Sequence, residues 1–305
     1  MKAIICTKYG APEVLHLQEV AKPMLEADKV LIKIYASAVN SGDVRVRGLA
    51  VKGFLRIVMR FVLGFGKPRK PILGTVFSGI VEDVGKAVTQ FQKGDKVFGS
   101  SGFKFGAHAE YIVLAENGIL APMPLNASFN DAAAIVFGGM TAVYFLNKGG
   151  VDSKPNQDIL IYGATGSVGC AAIQIARWFN ANVTSVCSNE GAALAKSLGS
   201  SEVIIYTMQD FAKLEKKYNI IFDAVGKTNK KNFKHLLKSE GRYLTVGGLE
   251  VAKETKSQLN LLKTIYEEGK LYSNIDRVYP IDDIVNAHKY VDTGRKKGNV
   301  VVAVN

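Results

Sequence analysis

The chain has 305 residues, enough for two domains with separate cores, and is 48% hydrophobic and 22% charged, an ordinary globular balance. Its net charge is +12 and its lysines are spread along the whole length, so a basic surface without a dedicated polyanion partner is expected, and nucleic acid is not an expected ligand. The scattered cysteines Cys6, Cys170 and Cys187 argue against a disulfide framework or a cysteine-rich zinc lobe.

Met1 to Cys6 reads as an edge strand rather than a signal peptide, and no uninterrupted apolar run reaches membrane-spanning length. A cytoplasmic location is the expectation. Val30 to Tyr35 alternates as a half-buried strand and runs into the turn Val39-Asn40-Ser41-Gly42-Asp43. Lys52, Arg56 and Arg60 then fall at i, i+4 and i+8, a basic stripe on an otherwise apolar helix over 51–63. Gly79 to Val84, Lys96 to Phe98 and Ala109 to Val113 are further strands, so the first third is β-rich. From about Ala121 the texture changes: Asp131 to Leu146 is alanine-rich with helical spacing, and strand–helix units alternate to about Tyr272. The C-terminal segment has a strand around Val278, a helix from Asp282 to Val291 and a strand from Asn299 to Val304. The expected organisation is α/β: a β-rich domain over 1–121 and 273–305, and a doubly wound parallel-sheet domain over 122–272.

The most informative stretch is Gly163-Ala164-Thr165-Gly166-Ser167-Val168-Gly169, between the apolar run Ile159 to Tyr162 and a helix from Cys170 to Phe179. A strand turning on glycines into a helix brings backbone N–H groups, and the positive end of the helix dipole, to a pyrophosphate. A second β-rich run, Val183 to Val186, follows at βαβ distance. That strand ends Val186-Cys187-Ser188-Asn189 without the carboxylate that would accept the 2′-hydroxyl of NADH, which favours NADPH, although Glu190 follows directly and no basic residue for a 2′-phosphate stands nearby. Ser188 and Tyr206 are the candidates for the adenosine-phosphate end, with Lys196 a weaker one.

Several collinear motifs carry a resemblance: Val39 to Asp43, Ile80 to Gly85, Phe91 to Gly99, Tyr162 to Gly169, Asp223 to Gly226 and Lys297 to Val301. With them the chain resembles the medium-chain dehydrogenase/reductase superfamily, in its zinc-free quinone oxidoreductase branch. The resemblance implies a GroES-like β-rich catalytic domain, a Rossmann domain, and NADPH-dependent hydride transfer to a quinone or α,β-unsaturated carbonyl. It also implies that Thr141 lies beside the nicotinamide, or else caps a helix N-terminus with its hydroxyl; that Gly226, Gly247 and Gly248 let the ribose and nicotinamide approach the backbone, or else form ordinary helix-entry turns; and that Asn299 is cofactor-adjacent. At the places of the zinc ligands of alcohol dehydrogenases stand Asn40, Thr75 with Val76, and Phe137 before Gly138, none a thiolate or imidazole donor. Quinones and enones delocalise the incoming charge and need less help than a simple ketone.

Asn40 would donate a hydrogen bond to the substrate oxygen, or else only shape its turn; Asp43 would orient that loop or relay a proton, or equally shape the turn. His108 reads as a structural histidine. The 51–63 helix reads first as a lid over the substrate cleft, shaping an apolar acceptor pocket, and second as a membrane-surface helix. Only Leu249 to Ser257 separate the last parallel strand from the next helix, where relatives insert a further strand that pairs across a dimer, so a homodimer is doubtful. The rival readings are an NAD(P)-dependent alcohol or aldehyde dehydrogenase, and a non-catalytic nucleotide-binding scaffold with a basic RNA- or membrane-binding surface.

Overall fold

The computed structural model describes residues 1–50, 53–210 and 213–305, with the side chains of residues 54–56 and 58 outside the description. Lys52 and the side chain of Arg56, both members of the basic stripe, therefore lie outside the described residues. The chain divides into two compact units, Met1–Val136 with Ile275–Asn305, and Phe137–Asn274.

The first unit begins with β1 (Lys2–Cys6), paired antiparallel with β2 (Leu15–Glu19). It continues through β3 (Lys29–Val39), α1 (Ser41–Gly48), α2 (Phe54–Leu63), β4 (Val76–Val84), β5 (Lys96–Ser100), β6 (Tyr111–Ala115) and β7 (Ile119–Pro122). The boundary between units falls inside α3 (Phe129–Gly149), which is longer at both ends than its alanine-rich centre suggested. By length and composition α3 would be long and apolar enough to cross a bilayer, but polar residues interrupt it and 67% of its apolar window is buried within the fold, as in a core helix. The second unit then runs β8 (Asp158–Tyr162), α4 (Ser167–Trp178), β9 (Asn182–Cys187), α5 (Ala192–Ser197), β10 (Glu202–Ile205), β11 (Tyr218–Asp223), α6 (Lys230–Phe233), β12 (Leu237–Thr245) and α7 (Lys256–Glu267). The chain ends with β13 (Ile275–Pro280), α8 (Ile284–Asp292) and β14 (Asn299–Ala303), which return to the first unit.

In the first unit the strand order is β13-β14-β3-β4-β5-β7, with β6 also on β3. β3 is thus a central strand, with β4 along one edge and β6 then β14 along the other, and its carboxyl end, Ala36 to Val39, is buried on both faces. Val30, Ile32 and Ile34 fill one core with Phe77, Val97 and Leu120. Val39, Val46, Leu73, Ile284 and Val302 fill another, which anchors α1 and α8.

In the second unit all five strands are parallel, ordered β10-β9-β8-β11-β12. Ile159, Leu160 and Ile161 on β8 are all buried, as a strand covered on both faces requires. The order reverses direction between β8 and β11, so the carboxyl ends of those strands form the crevice where such sheets take ligands. β12 ends the sheet, and no strand is found among the described residues between it and α7. Glu250 ties this short connection to α3 by pairing with Lys148 and accepting from the Tyr144 hydroxyl at 2.7 Å.

Candidate active site

In the first unit the site residues sit where β3 ends and α1 begins. Asn40 is the N-cap of α1, and a capping box joins it to Asp43. The Asn40 Oδ1 accepts from the N–H groups of Gly42 (2.7 Å) and Asp43 (3.2 Å), which fixes the amide orientation. Its Nδ2 donates one proton to the Thr75 hydroxyl at 3.0 Å. An amide nitrogen carries two protons, so the second is the donor Asn40 can offer a substrate oxygen.

Asp43 is fully buried, its carboxylate accepting from the Asn40 N–H at 3.0 Å and the Gly74 N–H at 3.2 Å. It therefore fastens the α1 turn to the loop that carries Thr75. Burial pushes the Asp43 carboxyl up to about 7, against the lowering effect of those two N–H donors. His108, also fully buried, places its Nε2 4.0 Å from Asp43. The Ser37 hydroxyl donates to the Val76 carbonyl at 2.9 Å and so accepts from His108 Nδ1 at 3.1 Å. His108 accordingly carries its proton on Nδ1, and its Nε2 lone pair has no hydrogen-bond partner. Burial lowers this imidazole to about 4, so at neutral pH it is uncharged and its approach to Asp43 is not an ion pair. The His288 ring of α8 stands edge-on to His108 at 6.0 Å between centroids. Burial, then His108, then Arg47 hold His288 well below its ordinary value.

The local sequence marks His108 only as a structural histidine, and nothing in it marks His288. No local signal could have placed them, because His108 reaches Asp43 only through sheet pairing 65 residues away along the chain, where its carbonyl accepts from Ile4 and its N–H donates to Leu73. Gly74 is shaped to the same contact: a Cβ there would lie 2.6 Å from His108 Nδ1.

In the second unit the glycine turn lies between β8 and α4. Gly163 has φ +75°, a left-handed conformation that disfavours any side chain, and a Cβ on it would sit 1.9 Å from Val225 Cγ2. Ala164, Thr165 and Gly166 complete the turn, and Gly166 is the N-cap of α4. Ser167, Val168 and Gly169 form the first turn of the helix, whose N–H groups have no intrahelical acceptor. Gly169 packs so tightly on the turn that a Cβ would lie 2.3 Å from the Gly163 carbonyl oxygen. A glycine turn running into a helix N-terminus is the backbone geometry, a cradle, that a pyrophosphate fits.

The other candidates gather at the same end of the sheet. Gly191, just after β9, touches Thr165, and the Tyr206 N–H donates to the Cys187 carbonyl, which brings Tyr206 next to Ser188. Gly226 and Gly247, after β11 and β12, are in backbone contact, and Gly248 adjoins them. Gly138 on α3 lies against the Ser167 carbonyl, so Thr141, one turn further on that face, is carried past the cradle. Thr141 lies in mid-helix, which removes the capping alternative for its hydroxyl. Lys196 points elsewhere: its ammonium donates to Ser201 at the amino end of β10, away from the ligand end of the sheet. Asn299 opens β14 in the first unit and is buried.

The chain matches the sequence profile of the alcohol dehydrogenase GroES-like domain over residues 26–125 and that of zinc-binding dehydrogenase over residues 167–280. It is 34% identical to a 2-methylene-furan-3-one reductase of Solanum lycopersicum, covering 99% of this chain and 79% of the relative. The chain belongs to the medium-chain dehydrogenase/reductase superfamily. An NADPH-dependent alkenal/one oxidoreductase of Arabidopsis thaliana is 29% identical over 99% of the chain and 79% of the relative. The solved quinone oxidoreductase of Coxiella burnetii superposes with a TM-score of 0.84 at 27% identity, covering 100% of this chain and 99% of the other. These place the chain in the quinone oxidoreductase-like branch of the superfamily, with its GroES-like and Rossmann domains.

The zinc implied by the second profile's description does not fit these residues. Asn40 spends its oxygen on two backbone N–H groups and one amide proton on Thr75, so neither residue offers a zinc donor. Among the described residues no group of three His, Cys, Asp or Glu side chains is arranged to hold a metal ion. A nicotinamide dinucleotide does fit, on the Gly163–Gly169 cradle.

Proposed function

We propose that this protein is a zinc-independent, NADPH-dependent reductase that passes a hydride to a quinone or an α,β-unsaturated carbonyl. The observation that carries the reading is the Asn40 turn, which keeps a hydrogen-bond donor, and no metal donor set, at the family's active-site loop. The relatives named for a methylene-furanone, an alkenal/one and a quinone support it, since each acceptor conjugates its carbonyl with an alkene or quinoid ring. Conjugation moves the incoming charge onto oxygen, where a single well-oriented amide proton stabilises it. Preference for NADPH rests on the strand end at Ser188, which has no carboxylate for a ribose hydroxyl, and on Tyr206 beside it.

The nicotinamide, when bound, supplies the hydride. The chain's own residues do the rest. The first-turn N–H groups of α4 hold the pyrophosphate, Thr75 and the α1 backbone hold the Asn40 amide in one orientation, and Asp43 clamps the two loops that carry them. Solvent supplies the proton that completes reduction of the acceptor. The shortened connection after β12 removes the strand relatives use for dimerisation, so the protein is proposed to lack that dimer; its location is proposed to be cytoplasmic.

The test is NADPH oxidation with phenanthrenequinone and, separately, with an enone, each with and without EDTA. Turnover that survives EDTA is expected with at least one acceptor. Measurable NADPH binding without turnover on either would refute the reading and favour the non-catalytic scaffold.

A further inference from the structure

We propose that α2 and the loop after it, residues 57–70, form an anchor that docks the protein on a bilayer bearing anionic headgroups. Between Asp43 and Glu82 the sequence carries eight Lys and Arg residues and no Asp or Glu. Within that stretch Met59 and Leu63 turn inward against the core of the first unit. Ile57, Phe61, Val62 and Phe65 turn outward, 53%, 60%, 62% and 57% exposed. Ile57 and Phe61 share one face of α2, and the Phe61 and Phe65 rings meet edge-on at 4.9 Å, so the apolar surface is continuous.

The loop is built to hold this arrangement. Gly64 has φ +122°, a Cβ on it would lie 2.2 Å from the Lys67 carbonyl oxygen, and the Arg69 N–H closes the turn on the Leu63 carbonyl at 2.6 Å. The turn sets the exposed Lys67, Arg69 and Lys70 beside the exposed phenylalanines, around an open groove of about 670 Å³ lined by Thr7, Phe65, Lys67 and Arg69. No ion pair among the described residues uses Arg60, Lys67, Arg69 or Lys70.

Apolar side chains edged by cations that have no carboxylate partner suit a surface offering acyl depth and negative charge together. A second copy is a poor occupant, because a two-fold contact would set this cationic patch against itself. A nucleic-acid backbone would leave Phe61 and Phe65 uncovered. The proposal stands apart from the reductase reading, since it needs neither cofactor nor turnover.

Sedimentation of the full-length protein with vesicles tests it, using phosphatidylcholine alone and phosphatidylcholine with phosphatidylserine. Binding is expected only with phosphatidylserine, weakening as salt is raised. Phe61→Glu with Phe65→Glu should lower partitioning at least tenfold, with circular dichroism showing an intact fold. Lys67→Gln, Arg69→Gln and Lys70→Gln together should lower it roughly a hundredfold, at roughly fivefold per charge. Lys230→Gln, Lys231→Gln and Lys234→Gln, which remove the same charge from an exposed part of the second unit, should change it less than about twofold. Equal losses in the two triple variants, or none in the phenylalanine variant, would overturn the anchor in favour of unspecific attraction by the net charge. Failure to bind any vesicle would also overturn it, and a dimer lost on Phe61→Glu would assign the face to a second copy.

Discussion

Asp43→Asn isolates the energetics at the buried end of the candidate site. The Asp43 carboxyl rises from 3.8 to about 7 on folding, chiefly through burial. A raised value means that the folded protein holds this proton more tightly, so the contribution is full below pH 3.8 and is lost as pH climbs towards 7. His108 has the opposite sign: lowered from 6.5 to about 4, it contributes fully above pH 6.5 and loses that contribution as pH falls towards 4. His288, also lowered, acts in the same sense as His108. Between pH 4 and 6.5 the carboxyl and the imidazoles therefore oppose each other, and the wild-type profile alone hides Asp43. The asparagine is neutral throughout and accepts from only one of the Asn40 and Gly74 N–H groups, a cost independent of pH. Against that constant offset, the stability gap should move by ~2.5 kcal/mol in the variant's favour between pH 5 and pH 8. Urea titrations of both proteins, read by pulse-labelled amide exchange on peptides from β3 and α1, report this unit alone. Parallel pH dependences for variant and wild type would refute the argument, because Asp43 would then be ionised in the folded protein already at pH 5.

Gly163→Ala forces a side chain into φ +75° and against Val225, so NADPH affinity measured by fluorescence titration should fall at least tenfold; unchanged affinity would take the cradle out of pyrophosphate binding. Asn40→Ala removes both the amide donor and the α1 cap, and kcat should drop on the order of a hundredfold or more, with about 1 kcal/mol lost in stability. Thr75→Val removes the partner of the Asn40 Nδ2 while keeping the cap, so it should lower kcat by about tenfold, and the unpaired buried amide proton should cost about 1 kcal/mol in stability. Full activity in Asn40→Ala would reduce Asn40 to a turn former.

The parts of the fold legible in the sequence are those whose signal is local. The Gly163–Gly169 turn is readable because glycines, an apolar strand and a helix follow one another within a single βαβ unit, and the structure places them between β8 and α4. The Asn40–Asp43 pair is readable as a turn for the same reason, and it is now a capping box whose side chains also reach outside the turn. The ends of α3 were harder to read: Phe129 stacks on Tyr35 at 4.5 Å, and packing of that kind, not propensity, extends the helix beyond its alanine-rich centre.

His108 was beyond sequence reading for a different physical reason. Its run, Gly106-Ala107-His108-Ala109, offers the same local signal whether the ring faces solvent, a ligand or the core. What distinguishes these outcomes is a contact made by three separate elements: Ser37 on β3 orients the ring, Gly74 leaves room for it, and Asp43 on α1 faces its Nε2. None of the three constrains position 108 through spacing. Because the same Asp43 carboxylate binds the Asn40 N–H, the protonation of this buried pair and the position of the proposed substrate donor are one problem. A change in charge at Asp43 alters the acceptor that holds both Asn40 and the loop of Thr75, whereas Ser37 keeps the His108 ring in one tautomer.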